Sequence, residues 1–337
     1  MRLIAIEEHW MLPSLAAALD AAPAEARDPS LAFNDLGDHR ARLQDLSAAR
    51  IATMDEQGID ISVLALTPPG TQPLPGPQAV ALSREANDVA AAAVDRHPDR
   101  LRALCTLPMS APGEAADELR RAAGLGHVGA MVYGRSGDLL LDDPAYDDLF
   151  TAAEELGQPI FLHPQIPSEA LREASYRGFD PMTDLALATF GWGWHLDTAT
   201  AALRLILRGT FDRHPGLQIV LGHWGEMLLF WLDRAESLSR FARLERSVTE
   251  CVRSNVHVTS SGMLNPALLH HALSVTTVDR LIFSTDYPFQ HPSREEIEDF
   301  LGAFPSERDR QLFCSTNAAA LFGIQLAGTS GAGDAGS

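Results

Sequence analysis

Short apolar runs recur along the chain, separated by longer stretches in which apolar positions fall three or four apart. The first run, Leu3-Ile4-Ala5-Ile6, leads directly into Glu7-Glu8-His9. Seven more follow: Ile61 to Leu66, Leu101 to Leu107, Val128 to Tyr133, Pro159 to Leu162, Leu217 to Leu221, Val256 to Ser260 and Leu281 to Ser284. Runs of this length bounded by turn residues read as buried strands, and the spacing between them reads as amphipathic helix. Helices are predicted over Arg40 to Gln57 with Gly58 as the stop, Pro77 to Arg96, Glu114 to Leu125, Ala145 to Leu156 and Asp197 to Gly209. One or two more cover Glu226 to Arg246, and others Pro266 to Leu273, Arg294 to Leu301 and Glu307 to Leu321.

Eight strands each followed by helical pattern predict an α/β chain, a (β/α)₈ TIM-type barrel with insertions after strands 1 and 5. A doubly wound open sheet is the alternative, and the missing glycine-rich turn after the first strand stands against it. The first insertion, Trp10 to about Asp45, predicts a helix and loop over one rim. The second, 164–195, carries the aromatic run Phe190-Gly191-Trp192-Gly193-Trp194, expected as a pocket wall or subunit contact. Residues 1–324 are expected to form a single barrel domain, and the Gly, Ala and Ser tail at 325–337 to be disordered.

Composition narrows the chemistry. Of 337 residues, 46% are hydrophobic and 21% charged, as in ordinary globular proteins. No apolar stretch is long enough to span a bilayer, and no basic-then-apolar leader opens the chain, so the expected location is cytoplasmic. A net charge of −19 argues against nucleic acid and anionic membrane as partners. An anionic substrate would then need local arginine. Cys105, Cys251 and Cys314 are too scattered for a disulfide framework or a thiolate zinc site. The chain has no lysine, and all 26 basic residues are arginine. That excludes a lysine Schiff base and any metal pair bridged by a modified lysine.

Strand residues two apart share a face, so Glu7 and His9 converge while Glu8 points the other way and reads as structural. Carboxylate and imidazole together suit a divalent ion such as zinc or manganese. His163 ends the fifth strand, His223 the sixth and Asp286 the eighth. In a barrel the active site sits at the C-terminal rim, so all five side chains surround one cavity.

These residues lie in recurring motifs: Glu7-x-His9, His163-Pro164, Gly222-His223-x-Gly225-Glu226 and Ser284-Thr285-Asp286-x-Pro288-Phe289. With Met54-Asp55-x-x-Gly58-Ile59 and the Thr67 to Gln72 loop, they resemble the amidohydrolase superfamily. Within it they resemble the non-oxidative decarboxylases of γ-resorcylate, 2,3-dihydroxybenzoate, 5-carboxyvanillate and aminocarboxymuconate semialdehyde. The resemblance implies one divalent metal, Zn²⁺ or Mn²⁺, held by Glu7, His9, His163 and Asp286. It implies His223 assisted by Glu226 as catalytic groups alongside Asp286. Its expected activity is loss of CO₂ from a hydroxylated aromatic or conjugated carboxylic acid that chelates the metal. A metal-activated water serving a hydrolase or hydratase is the runner-up, and a non-catalytic binding barrel the third reading. Arg234, eight residues after Glu226, is expected to bind the substrate carboxylate, with Trp194 and Phe289 flanking the ring. His195 and His291 are further candidates for the pocket lining. The expected partner is a small carboxylic acid, and the expected assembly a homodimer or homotetramer.

Overall fold

The computed structural model describes residues 1–23 and 27–326. Of the tail expected at 325–337, residues 327–337 lie outside the described residues. Eight parallel strands form the barrel: β1 (Ile4–Trp10), β2 (Ile61–Leu66), β3 (Leu101–Ala103, resuming as Cys105–Thr106), β4 (Ala130–Tyr133), β5 (Ile160–His163), β6 (Ile219–Leu221), β7 (Val256–Thr259) and β8 (Leu281–Ile282). Each strand pairs with its sequence neighbour from β1 to β8. The break in β3 is a handover: its first piece pairs with β2 and its second with β4, and Leu104 turns into the lumen.

The seam between β8 and β1 closes differently. Instead of a backbone ladder, the Glu8 carboxylate accepts hydrogen bonds from Thr285 N–H at 3.1 Å and Thr285 Oγ1 at 2.6 Å. Beside it, His9 N–H donates to Tyr287 O at 2.7 Å. Glu8 therefore staples the barrel shut, the structural role its outward parity predicts. Burial nonetheless pushes its carboxyl up to about 7, opposed by the Thr285 bonds and by Arg50.

The lumen is filled by Ile4, Ile6, Ile61, Val63, Ala65, Leu104, Met131, Phe161, Val220 and Ile282, in one cluster with Ala318, Phe322 and Ile324 near the chain's end. Strict alternation would place Ile4 and Ile6 on the face opposite Glu7 and His9. A β-bulge resolves the conflict. Between the Ala5–Ser62 and Glu8–Leu64 pairs, β1 spends two residues against one of β2, which resets its parity. Below the bulge isoleucines fill the core, and above it Glu7 and His9 face the same interior.

Most predicted helices are present, with shifted ends. Gly76–Arg96 and Arg294–Leu301 match closely, and Gly58, in the left-handed region, caps Ala48–Gln57. The helix predicted over Arg40 to Gln57 is two, His39–Gln44 and Ala48–Gln57. Asp45 breaks it by accepting from the N–H groups of Ser47 and Arg50. The helix predicted from Asp197 starts earlier and spans Gly193–Leu207. Over Glu226 to Arg246 there is a succession of one-turn helical segments rather than one or two long helices. Among the described residues, no helix is long and apolar enough to cross a membrane.

Candidate active site

Glu7 and His9 rise from β1, fully buried, and His163 closes β5. His163 Nε2 lies 3.5 Å from Glu7 Oε1, and His9 Nε2 lies 3.3 Å from Asp286 Oδ1. The His9 and His163 rings meet edge to face with centroids 5.0 Å apart. His163 Nδ1 is 2.7 Å from Pro164 O, so that nitrogen carries the hydrogen and Nε2 presents its lone pair inward. Glu7 Oε1 and His9 Nε2 are buried with no hydrogen-bond partner. Two orphaned lone-pair atoms beside two further ligand-type groups fit a divalent cation of the zinc or manganese kind. Two of these groups are shifted toward their neutral forms. Burial pushes the Glu7 carboxyl up to about 8, and burial together with the neighbouring histidines pushes His163 down to about 3.

The other groups arrive on a different kind of backbone. From His223 to Met227 every φ is positive: 47°, 58°, 86°, 53° and 69°. For the four that are not glycine this costs about 1–2 kcal/mol each. The turn brings His223 Nδ1 within 2.7 Å of Glu226 Oε1 and leaves His223 Nε2 3.8 Å from Asp286 Oδ2. Asp286 (φ 62°) and Ser261 (φ 42°) are also left-handed. Ser261 Oγ accepts from His223 N–H at 2.8 Å and donates to Glu7 Oε2, which Thr259 Oγ1 also approaches at 3.3 Å. One hydroxyl thus joins the ends of β1, β6 and β7. At His223 burial favours the neutral ring, yet Glu226 and Asp286 outweigh it and raise the imidazole well above its ordinary value. Burial likewise opposes ionisation of Glu226 and Asp286. The facing histidines win, and both carboxyls fall to about 2.

These groups open into a cavity of about 570 Å³. Its lining includes His9, His163, His223, Glu226 and Asp286, and aromatic or apolar walls from Phe33, Leu36, Phe190, Trp192, Trp194, Met227, Met263 and Phe289. Trp194 and Phe289 therefore line the cavity, and the aromatic run after β5 forms part of its wall. The first insertion adds Ser30, Asn34 and His39. Arg234 stands apart from this chain's cavity. Leu228, Leu229, Leu232 and Ala235 are buried in that helical run, so Arg234 lies on its opposite, solvent-exposed side and is not part of the lining. No arginine lines the cavity among the described residues. His291 borders a separate cavity of about 530 Å³ that meets the first at Gln290.

Three contributors escaped the sequence reading. Ser261 and Thr259 carry no signal, because hydroxyl residues are common at strand ends. Arg50 is buried, donates to His9 O at 2.6 Å and stacks over Tyr287 with its guanidinium carbon 4.8 Å from the ring centroid. Nothing in its sequence setting marks it.

A family model described as amidohydrolase matches residues 11–324. The chain belongs to the amidohydrolase family. This amidohydrolase is 35% identical to γ-resorcylate decarboxylase of Rhizobium radiobacter over 95% of its own length and 97% of that protein's. It is similar in structure to 5-carboxyvanillate decarboxylase from Sphingomonas paucimobilis, with a TM-score of 0.87 and 31% identity, covering 96% of this chain and 99% of that one. A third relative, 5-carboxyvanillate decarboxylase from Novosphingobium aromaticivorans, matches with a TM-score of 0.87, 31% identity and 96% coverage of both chains. That structure contains manganese and 4-hydroxy-3-methoxy-5-nitrobenzoic acid. These relatives place the chain in the decarboxylase branch of the family, whose barrel it shares.

Proposed function

We propose that the protein is a metal-dependent, non-oxidative decarboxylase of a hydroxylated aromatic carboxylic acid, its single ion held by Glu7, His9, His163 and Asp286. The observation that carries this reading is the cavity floor. There, four ligand-type groups, two with orphaned buried atoms, lie beside a His223–Glu226 pair held within 4 Å of one of them. When bound, the ion supplies a Lewis acid for the carboxylate and its neighbouring hydroxyl. With no arginine in the lining, the ion and the imidazoles meet the substrate's negative charge.

Trp194 and Phe289 hold the ring in place, so part of the rate comes from orientation. His223, kept protonated by Glu226, passes its proton to Asp286, which delivers it to the ring carbon bearing the carboxylate. The bond between that carbon and the carboxylate then breaks, its electron pair restores the aromatic ring, and CO₂ leaves. One proton is consumed for each CO₂ released.

The supporting relatives act as decarboxylases, and the hydrolase or hydratase reading has less behind it. We take residues 1–324 as one domain of a cytoplasmic homodimer or homotetramer. The exposed Phe179, Met182, Phe190 and Trp192 of the second insertion support the association. The test is CO₂ release from a panel of hydroxybenzoates by the manganese-loaded protein. Release from one or more members, abolished by chelation, is expected. Turnover of an ester, amide or alkene without CO₂ would move the assignment to the hydrolase or hydratase.

A further inference from the structure

We propose that His195 is a positioning residue of this site, acting through Glu226 to hold His223 in its working orientation; the inference rests on the decarboxylase reading above. Glu226 is fully buried, and its two oxygens are divided between two imidazoles. His223 Nδ1 lies 2.7 Å from Oε1 and His195 Nδ1 lies 2.6 Å from Oε2. Among the described residues, no other group donates to Oε2.

A glutamate held at one oxygen rotates broadly about its last torsion, and a second donor removes that freedom. His195 is itself anchored. It sits in the first turn of Gly193–Leu207, its Nε2 accepting from Trp194 Nε1–H at 3.0 Å when Nδ1 carries the hydrogen, with its ring against that of His223 at a centroid separation of 4.7 Å. The aromatic wall after β5 is thereby tied to the left-handed turn after β6. Remove the His195 donor and a buried carboxylate oxygen loses its only partner, a state costly enough to make the side chain swing or take up a proton. In either case His223 loses its fixed neighbour. His195 touches none of the proposed metal ligands, so the metal should be indifferent to its loss.

The imidazole's two nitrogens make the inference separable by substitution. Asparagine places an N–H donor where Nδ1 stands, facing Glu226, whereas glutamine places one where Nε2 stands, facing away. In zinc-loaded protein, His195→Gln should lower kcat about 10- to 100-fold, the usual cost of losing an outer-shell partner, with KM nearly unchanged. His195→Asn should recover most of that loss, and both should bind one metal per chain. The readout independent of turnover is proton NMR of the same samples. The low-field His223 Nδ1–H resonance should persist in His195→Asn and shift or broaden away in His195→Gln. Equal impairment of the two variants would overturn the inference, as would a raised KM with unchanged kcat, which would make His195 a simple wall residue. Should the wild type decarboxylate nothing, the reading of the reaction fails. The NMR comparison still decides whether His195 holds the Glu226–His223 pair.

Discussion

The cavity floor has two halves built on different backbones. Glu7, His9 and His163 stand on β1 and β5 strands with ordinary extended geometry, two of them re-aimed by a bulge. His223, Glu226, Ser261 and Asp286 stand on left-handed residues beyond the ends of β6, β7 and β8. The first half needs only to hold a charge at a fixed point, and strand ends do this without strain. The second must bring a histidine against two carboxylates. A strand cannot place residues three apart on one face, and the chain accepts a strained turn at the strand's end to do it. Asp286 belongs to both halves, within 3.3 Å of His9 and 3.8 Å of His223.

The shared residue gives the largest expected effect. Asp286→Asn removes both a proposed ligand charge and the proton carrier, and turnover should fall on the order of 10⁴-fold, the upper range of general acid catalysis. Near-wild-type kcat in a metal-replete variant would dissolve the division into halves. Glu226→Gln strikes only the second half. Its kcat should fall about 10²-fold, and an unchanged kcat in a steady-state assay would remove Glu226 from the acid–base pair.

Gly222→Ala probes the point where the halves touch. A Cβ there would stand 2.9 Å from Ser261 Oγ, 3.0 Å from Glu226 Oε1 and 3.2 Å from Glu7 Oε1. Overpacking of this kind costs about 1–3 kcal/mol, visible as a lowered Tm, and both metal binding and turnover should suffer together. Loss of one without the other would show that the halves are coupled less tightly than the distances imply.

The smallest effect concerns the seam, through Glu8. Its carboxyl is raised from an ordinary 4.5 to about 7, so the fold favours the protonated form. That contribution is fully present below pH 4.5, is lost as pH rises to about 7, and is constant above. In denaturant titrations of metal-free protein, the stability advantage of wild type over Glu8→Gln should decline across that window. An advantage that grows with pH would contradict the assigned sign.

The contrast also explains what the sequence disclosed. Glu7, His9, His163 and Asp286 were legible because apolar runs ending on ionisable residues are conspicuous, and the barrel count brought their ends together. The bulge was not, since a parity change hides in a run where Ile6 and Glu7 are both plausible in a strand. The turn at His223 was visible as a motif but not as a conformation, so a helix was expected to run on from Glu226. The outward direction of Arg234 was hidden for the same reason: spacing along the chain does not reveal which side of the following helical run faces the solvent. Ser261 acts through partners distant in sequence and carries no mark of it; His195 was legible as a candidate for the pocket lining, which it joins, but not as a partner of Glu226.

Metal content measured by elemental analysis after manganese reconstitution, compared across wild type, His163→Ala and Glu226→Gln, tests the central claim most directly. One ion per chain is expected in wild type, well under one in His163→Ala, and one again in Glu226→Gln. A full complement in His163→Ala, or an empty site in Glu226→Gln, would contradict that claim.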